Sequence, residues 1–183
     1  MGGGRRRGPV RIALCWQQMP PQTDWQTRLN AVDWPRFHTI YGVADKVPEQ
    51  IERLYSPDEA TALSAAGDLL AGLCRQQVQI SSAALPAFPF LMEMLPSASE
   101  SVTVEILDIL VGFAITTDPV RMRQFASAVG KRRMPPPGWV QELRGELQMA
   151  LPRIAAYVTH ENPTIAESAK KFVDEMGKDV SGA

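Results

Sequence analysis

The chain has 183 residues, 45% hydrophobic and 21% charged, the make-up of one globular domain rather than of a disordered chain or a fibre. Two cysteines and two histidines are too few for a disulfide scaffold or a histidine-built metal centre, and no apolar run is long enough to cross a membrane. The net charge of −1 is unevenly distributed: residues 1–40 carry +4, residues 41–118 carry −8 and residues 119–183 carry +3, so the middle would repel a phosphate backbone and attract a basic partner.

Residues 1–23 read as a mobile N-terminal segment, because glycine and arginine at its start offer no apolar surface to offset ordering. Val10 to Trp16 is apolar but is broken by Arg11 and followed by Gln17-Gln18, without the small-residue cleavage site of a secretory signal. A cytoplasmic location is therefore expected. From Asp24 the pattern is helical, and residues 24–177 are expected to form a single all-α domain with a C-terminal tail at 178–183. Helices are expected over roughly 48–55, 58–75, 100–115 and 118–129 from apolar residues at i, i+3, i+4 and i+7. Ser56 or Asp58 is placed to cap the second of these, and Asn162 with Pro163 at the first position begins a later one. Gly130 to Gly138, with three cations and three prolines, reads as an exposed loop. Val78 to Ser82 is the only strand-like fragment.

A repeat organises this pattern. Pro48 to Ser56 aligns with Pro89 to Ser97 at an offset of 41, and Asp68 to Leu73 aligns with Asp108 to Phe113 at an offset of 40. Pro152, Ala155 and Val158, then Phe172, Val173 and Met176, form a fainter third copy. A period near 40 built of two helices is the spacing of HEAT and armadillo arrays, and a proline suits the first turn of the first helix in each copy. The expected architecture is a right-handed α-solenoid of HEAT-like antiparallel helix pairs, with Leu54, Leu63, Leu70, Phe90, Leu95, Leu107 and Leu110 in its core.

Chemistry-bearing constellations are sparse. His38 has no local carboxylate to orient it as a base, and reads as a packing or capping residue. His160 sits at a helix end. Cys74 lies on an apolar helix face, Cys15 is sixty residues away, and there is no phosphate-binding glycine loop or nucleophile elbow. No catalytic residue, metal or cofactor is expected. Glu105 and Asp108 share a helix face, and Asp68 matches Asp108 one repeat earlier. Lined along a shallow groove with Arg75, they make a candidate partner-binding surface, with Tyr41 or Trp34 as an aromatic anchor. Arginines at 5–7 and the cations at 131–133 lack interleaved aromatics, so neither nucleic acid nor membrane is an expected partner.

Val32-Asp-Trp-Pro-Arg-Phe-His-Thr-Ile-Tyr-Gly42, followed by Val47-Pro48, and Ala83-Ala-Leu-Pro-Ala-Phe-Pro-Phe-Leu91 resemble a group of bacterial HEAT-repeat-like proteins over roughly residues 30–115. The chain reads Arg75-Gln-Gln-Val78 where those proteins often carry His-Gln-Gly. Many members resemble immunity proteins encoded beside secreted toxins. The resemblance implies a non-catalytic protein that binds and occludes a toxin, and the acidic middle of the chain suits a basic one, such as a nuclease. The alternatives are a scaffold for an endogenous protein and, from another class, a helical-repeat enzyme such as a DNA-base glycosylase or a chromophore lyase.

Overall fold

The computed structural model describes residues 25–75, 78–128 and 138–178. The N-terminal segment with Cys15, residues 130–137 of the basic loop, and the end of the tail lie outside the described residues. Eight helices dominate what is described: α1 (Trp25–Ala31), α2 (Val47–Leu54), α3 (Glu59–Leu73), α4 (Ala84–Met94), α5 (Glu100–Thr116), α6 (Pro119–Ala128), α7 (Gly138–Ala155) and α8 (Pro163–Gly177). The chain is all-α in class. Two antiparallel two-residue ladders depart from an otherwise strandless expectation: β1 (His38–Thr39) with β2 (Gly42–Val43), and β3 (Cys74–Arg75) with β4 (Gln79–Ile80). Both lie in connections, where the pairing satisfies backbone groups that no helix reaches.

The expected caps form. The Asp58 carboxylate accepts from the Thr61 N–H at 2.9 Å, and bonds from the Thr61 hydroxyl and N–H hold that carboxyl below its usual range. Ser99 accepts from the Val102 N–H, and Asn162 from the Thr164 N–H at 3.0 Å. Each later cap is also gripped by the first-turn glutamate of the helix before it in the row. Ser99 Oγ donates to Glu59 at 2.8 Å, and Asn162 Nδ2 donates to Glu100 at 2.8 Å.

The proline registers are corrected by the structure. Pro89 lies inside α4 and Pro152 inside α7, rather than opening them. The α4 helix starts at Ala84, a full turn earlier, with Pro86 in the first turn where its missing N–H costs nothing. Pro89 and Pro152 are both exposed, and each removes one N–H donor from the interior of its helix. Gly138 is the first residue of α7, not the end of a loop.

α3, α5 and α8 pack side by side in that order, α4 packs between α2 and α7, α2 lies on α3, and α7 lies on α8. The α5 helix is the centre: Ile106, Leu107, Ile109, Leu110 and Phe113 are all fully buried, each contributing about 1.5–3 kcal/mol. Of the expected core, Leu54, Phe90, Leu95, Leu107 and Leu110 are buried, whereas Leu63 and Leu70 are half-buried. The α3 helix is rotated from the expected phase. Ala62, Ala65, Ala66, Leu69, Gly72 and Leu73 face inward, because α3 meets α2 on one side and α5 on the other, and small residues permit both approaches.

One approach is closer than any side chain allows. A Cβ on Gly112 would lie 2.8 Å from the Cys74 sulfur, so α5 touches the strand after α3 through a missing side chain. Gly112→Ala should therefore be destabilising, despite alanine's better helix propensity of about 1 kcal/mol. In a Cys74→Ala background the same change should become neutral or stabilising. A double-mutant cycle by urea unfolding measures the coupling, expected at about 1–3 kcal/mol.

Two polar ties close the ends of the fold. At the N-terminal end, Trp25 stacks on Tyr55 at 4.2 Å, the Tyr55 hydroxyl donates to the Phe90 carbonyl at 2.9 Å, and Arg28 lies over the Phe90 ring while pairing with Glu93. Burial, then the Glu93 charge, pushes the Tyr55 hydroxyl well above the ordinary tyrosine range. The folded state thus keeps a proton that the unfolded chain releases near pH ~10. Its contribution is fully present below that pH and is lost as pH rises further. Tyr55→Phe should flatten this alkaline decline in urea midpoints between pH 9 and 11.

At the other end, buried Arg144 reaches from α7 to the C-terminus of α5. It donates to the Ala114 carbonyl at 2.6 Å, to the Thr117 hydroxyl at 3.3 Å and to the Glu175 carbonyl at 3.5 Å. The Glu175 carboxylate in turn accepts from Arg121 and Lys178.

Candidate functional site

The two short hairpins are joined to each other and to the end of α3. The first turns at Ile40-Tyr41, with Gly42 at φ +138°, a conformation that side chains disfavour. Thr39 Oγ1 accepts from the Tyr41 N–H at 3.2 Å and donates to the Gly42 carbonyl at 3.1 Å. The Ile40 N–H then donates to the Gly72 carbonyl at 2.9 Å, one residue short of the end of α3. The His38 N–H donates to Ser82 Oγ at 2.9 Å, and the Ala83 N–H donates to the His38 carbonyl at 3.1 Å, just beyond β4. On this fixed backbone Tyr41 is 69% exposed, Val43 49% and Val78 56%. They are three of the five large exposed apolar residues among those described.

The expected binding residues separate. Tyr41 and Arg75 are both exposed on neighbouring hairpins, tied through the Ile40–Gly72 bond. Trp34 is 4% exposed, and its indole N–H donates to the Leu29 carbonyl at 3.0 Å. It is a core residue rather than a surface anchor, because the 3-10 turn at Trp34–Arg36 folds it under α1. Asp68 and Asp108 do not line one groove. Asp68 is exposed and pairs with Arg53 of α2 at 3.2 Å, while half-buried Asp108 accepts from Ser168 of α8 at 2.9 Å. Glu105 is half-buried on α5. The two aspartates occupy matching positions, but each is satisfied by the helix that lies beside its own.

The acidic surplus of residues 41–118 is therefore largely engaged inside the fold. Asp58 caps α3, Asp118 accepts from the N–H groups of Val120 and Arg121, and Glu59, Asp68, Glu93, Glu100 and Asp108 each hold a side chain of another element. Only Asp45, Glu49, Glu52 and Glu105 have no hydrogen-bond or ion-pair partner among the described residues of this stretch. Asp45, Glu49 and Glu52 are all exposed; Glu49 and Glu52 lie on α2 opposite the buried Val47, Ile51 and Leu54, and Asp45 lies in the 3-10 turn Ala44–Lys46 that leads into it. They begin two residues after Val43. Lys46 is an exposed cation beside them.

Other candidates carry less chemistry. His38 is exposed rather than packed, and only its backbone is engaged with Ser82 and Ala83. His160 accepts at Nδ1 from the Asn162 N–H at 3.1 Å and stacks on Tyr157, so it supports the α8 cap as an acceptor. Cys74 is buried, with Thr116 Oγ1 at 3.9 Å. Among the described residues, no three His, Cys, Asp or Glu side chains are grouped to hold a metal ion, and no helix is long and apolar enough to cross a membrane. The first hairpin was missed because two-residue strands leave no periodicity to detect, whereas β4 falls within the strand-like fragment Val78 to Ser82. The signal that marks the first is Tyr41-Gly42, where a glycine interrupts the helical pattern. No family model matches the chain, and no curated protein or solved structure matches it.

Proposed function

We propose that this chain is a non-catalytic protein-binding module, built as a HEAT-like right-handed α-solenoid, and that it serves as an immunity protein that binds and occludes a cognate bacterial toxin with a basic surface, such as a nuclease. The observation that carries the binding reading is the exposure of Tyr41, Val43 and Val78 on hairpins held by backbone hydrogen bonds. An exposed aromatic on a fixed backbone loses little entropy on binding and buries a large area, which is how interface anchors work. The solenoid reading is supported by the side-by-side order of α3, α5 and α8, and by the repeated grip of a first-turn glutamate on the next cap. The basic partner is supported by the acidic balance of residues 41–118.

The test is co-expression with the product of each flanking gene. The expected outcome is that one product is toxic alone, that toxicity disappears with this chain present, and that the two elute together by gel filtration. A stable complex with a harmless partner would support the scaffold reading in place of immunity. Neither complex nor protection would overturn the proposal.

A further inference from the structure

We infer that the docking surface is the ridge formed by Tyr41, Val43 and the outer face of α2, and that its occupant is a segment of a partner protein carrying lysine or arginine around an apolar side chain. The inference deepens the protein-binding reading and rests on it. It differs from a groove along α3 and α5, because Asp68 and Asp108 there are already engaged by Arg53 and Ser168. Asp68 has its charge already countered by Arg53 and Asp108 is half-buried against Ser168, so each offers less to a partner than a free, exposed carboxylate does. Asp45, Glu49 and Glu52 have no such partner among the described residues.

Three features coincide on the ridge. The apolar element is Tyr41 and Val43, 69% and 49% exposed, on a turn fixed at Thr39 and Gly72. The charged element is Glu49 and Glu52 on the outer face of α2 with Asp45 in the 3-10 turn just before it, so their fields add; the exposed cations nearby are Lys46 and, on the 3-10 turn packed against it, Arg36, while Arg53 is held by Asp68. The mechanical element is α2 itself, whose opposite stripe of Val47, Ile51 and Leu54 is buried against the fold, so the carboxylates are held on a rigid support. An apolar partner side chain fits against Tyr41 and Val43, while flanking cations meet the carboxylates. That pairing speeds encounter, while the aromatic supplies most of the residence time.

The test uses the full chain, isotope-labelled for NMR, with a short amphipathic lysine–leucine peptide as the probe and its glutamate–leucine counterpart as the control. The expected result is amide shifts concentrated at residues 41–53 with the basic peptide only, with affinity falling as salt is raised. Glu49→Lys with Glu52→Lys should weaken binding by about tenfold or more, and Tyr41→Ser should weaken it further. Glu105→Lys reverses the remaining unengaged carboxylate of the acidic stretch, and should leave affinity within about twofold, because α5 lies outside the ridge. Circular dichroism confirms that each variant is folded. Shifts centred on α3 and α5, or equal loss in the Glu105 variant, overturn the ridge and leave the binding reading standing. Ridge amides that ignore the peptide but move when Arg5, Arg6, Arg7 and Arg11 are replaced by serine would assign the ridge to this chain's own first residues, and overturn the inference. No shift anywhere at millimolar peptide overturns both readings.

Discussion

Arg144→Met should lower the stability of the folded chain by about 3 kcal/mol, read from the urea midpoint at constant m-value. The side chain is 6% exposed, and methionine replaces its methylenes but not its donors. The end of α5 then loses the group that reaches the Ala114 carbonyl and the Thr117 hydroxyl. That carbonyl would keep only the Thr117 hydroxyl at 3.5 Å, whose shorter bond of 2.7 Å goes to the Phe113 carbonyl, because the Asp118 N–H bonds to Ile115. Buried acceptors without donors cost about 1–3 kcal/mol each. Arg144→Lys should recover only part of the loss, since an ammonium group cannot span from Ala114 to the Glu175 carbonyl as a planar fork does. Equal stability of the methionine variant and the parent would show that the arginine is incidental to the packing of α7 on α5.

A second large effect separates two adjacent leucines. Leu69→Ala should cost about 2–5 kcal/mol, because Leu69 is fully buried between helices and its loss leaves a cavity. Leu70→Ala should cost about 1–2 kcal/mol, since Leu70 is half-buried and water can fill much of the space. The comparison tests the rotational phase of α3 directly. Sequence spacing assigns Leu70 to the core, and a larger loss at Leu70 than at Leu69 would restore that phase.

The helices themselves were legible in the sequence because they repeat local signals: Asp58 before α3, Asn162-Pro163 at α8, and apolar spacing along α5. What was not legible is rotation. On α3 the residues available to face inward are mostly alanine and glycine, so hydrophobicity does not distinguish one face from the next, and the partner helices decide. The same ambiguity hides which charged side chains share a surface. Asp68 and Asp108 do recur one repeat apart, but recurrence in sequence says nothing of what lies opposite. Arg53 and Ser168 come from distant turns of the chain, and only folding brings them in. Trp34 misled for a related reason. The sequence offers it as an aromatic anchor, but the residue that receives its indole N–H, Leu29, lies on α1, and local sequence does not show that packing.

The grips of Glu59 on Ser99 and of Glu100 on Asn162 join helices separated by very different lengths of chain, 40 residues in the first case and 62 in the second. Both act at the helix N-termini, while 21 residues separate α5 from α7 where 10 separate α3 from α4, and α7 itself is longer than α4, 18 residues against 11. The molecule thus has one edge held in register by paired side chains and an opposite edge open to growth. Segments added there lengthen the route between helices at a slowly rising entropic cost and leave the spacing of the row intact. New sequence can be tried along that edge without renegotiating the core, whereas a helix pair added to the row must bring both a glutamate and a cap to fit.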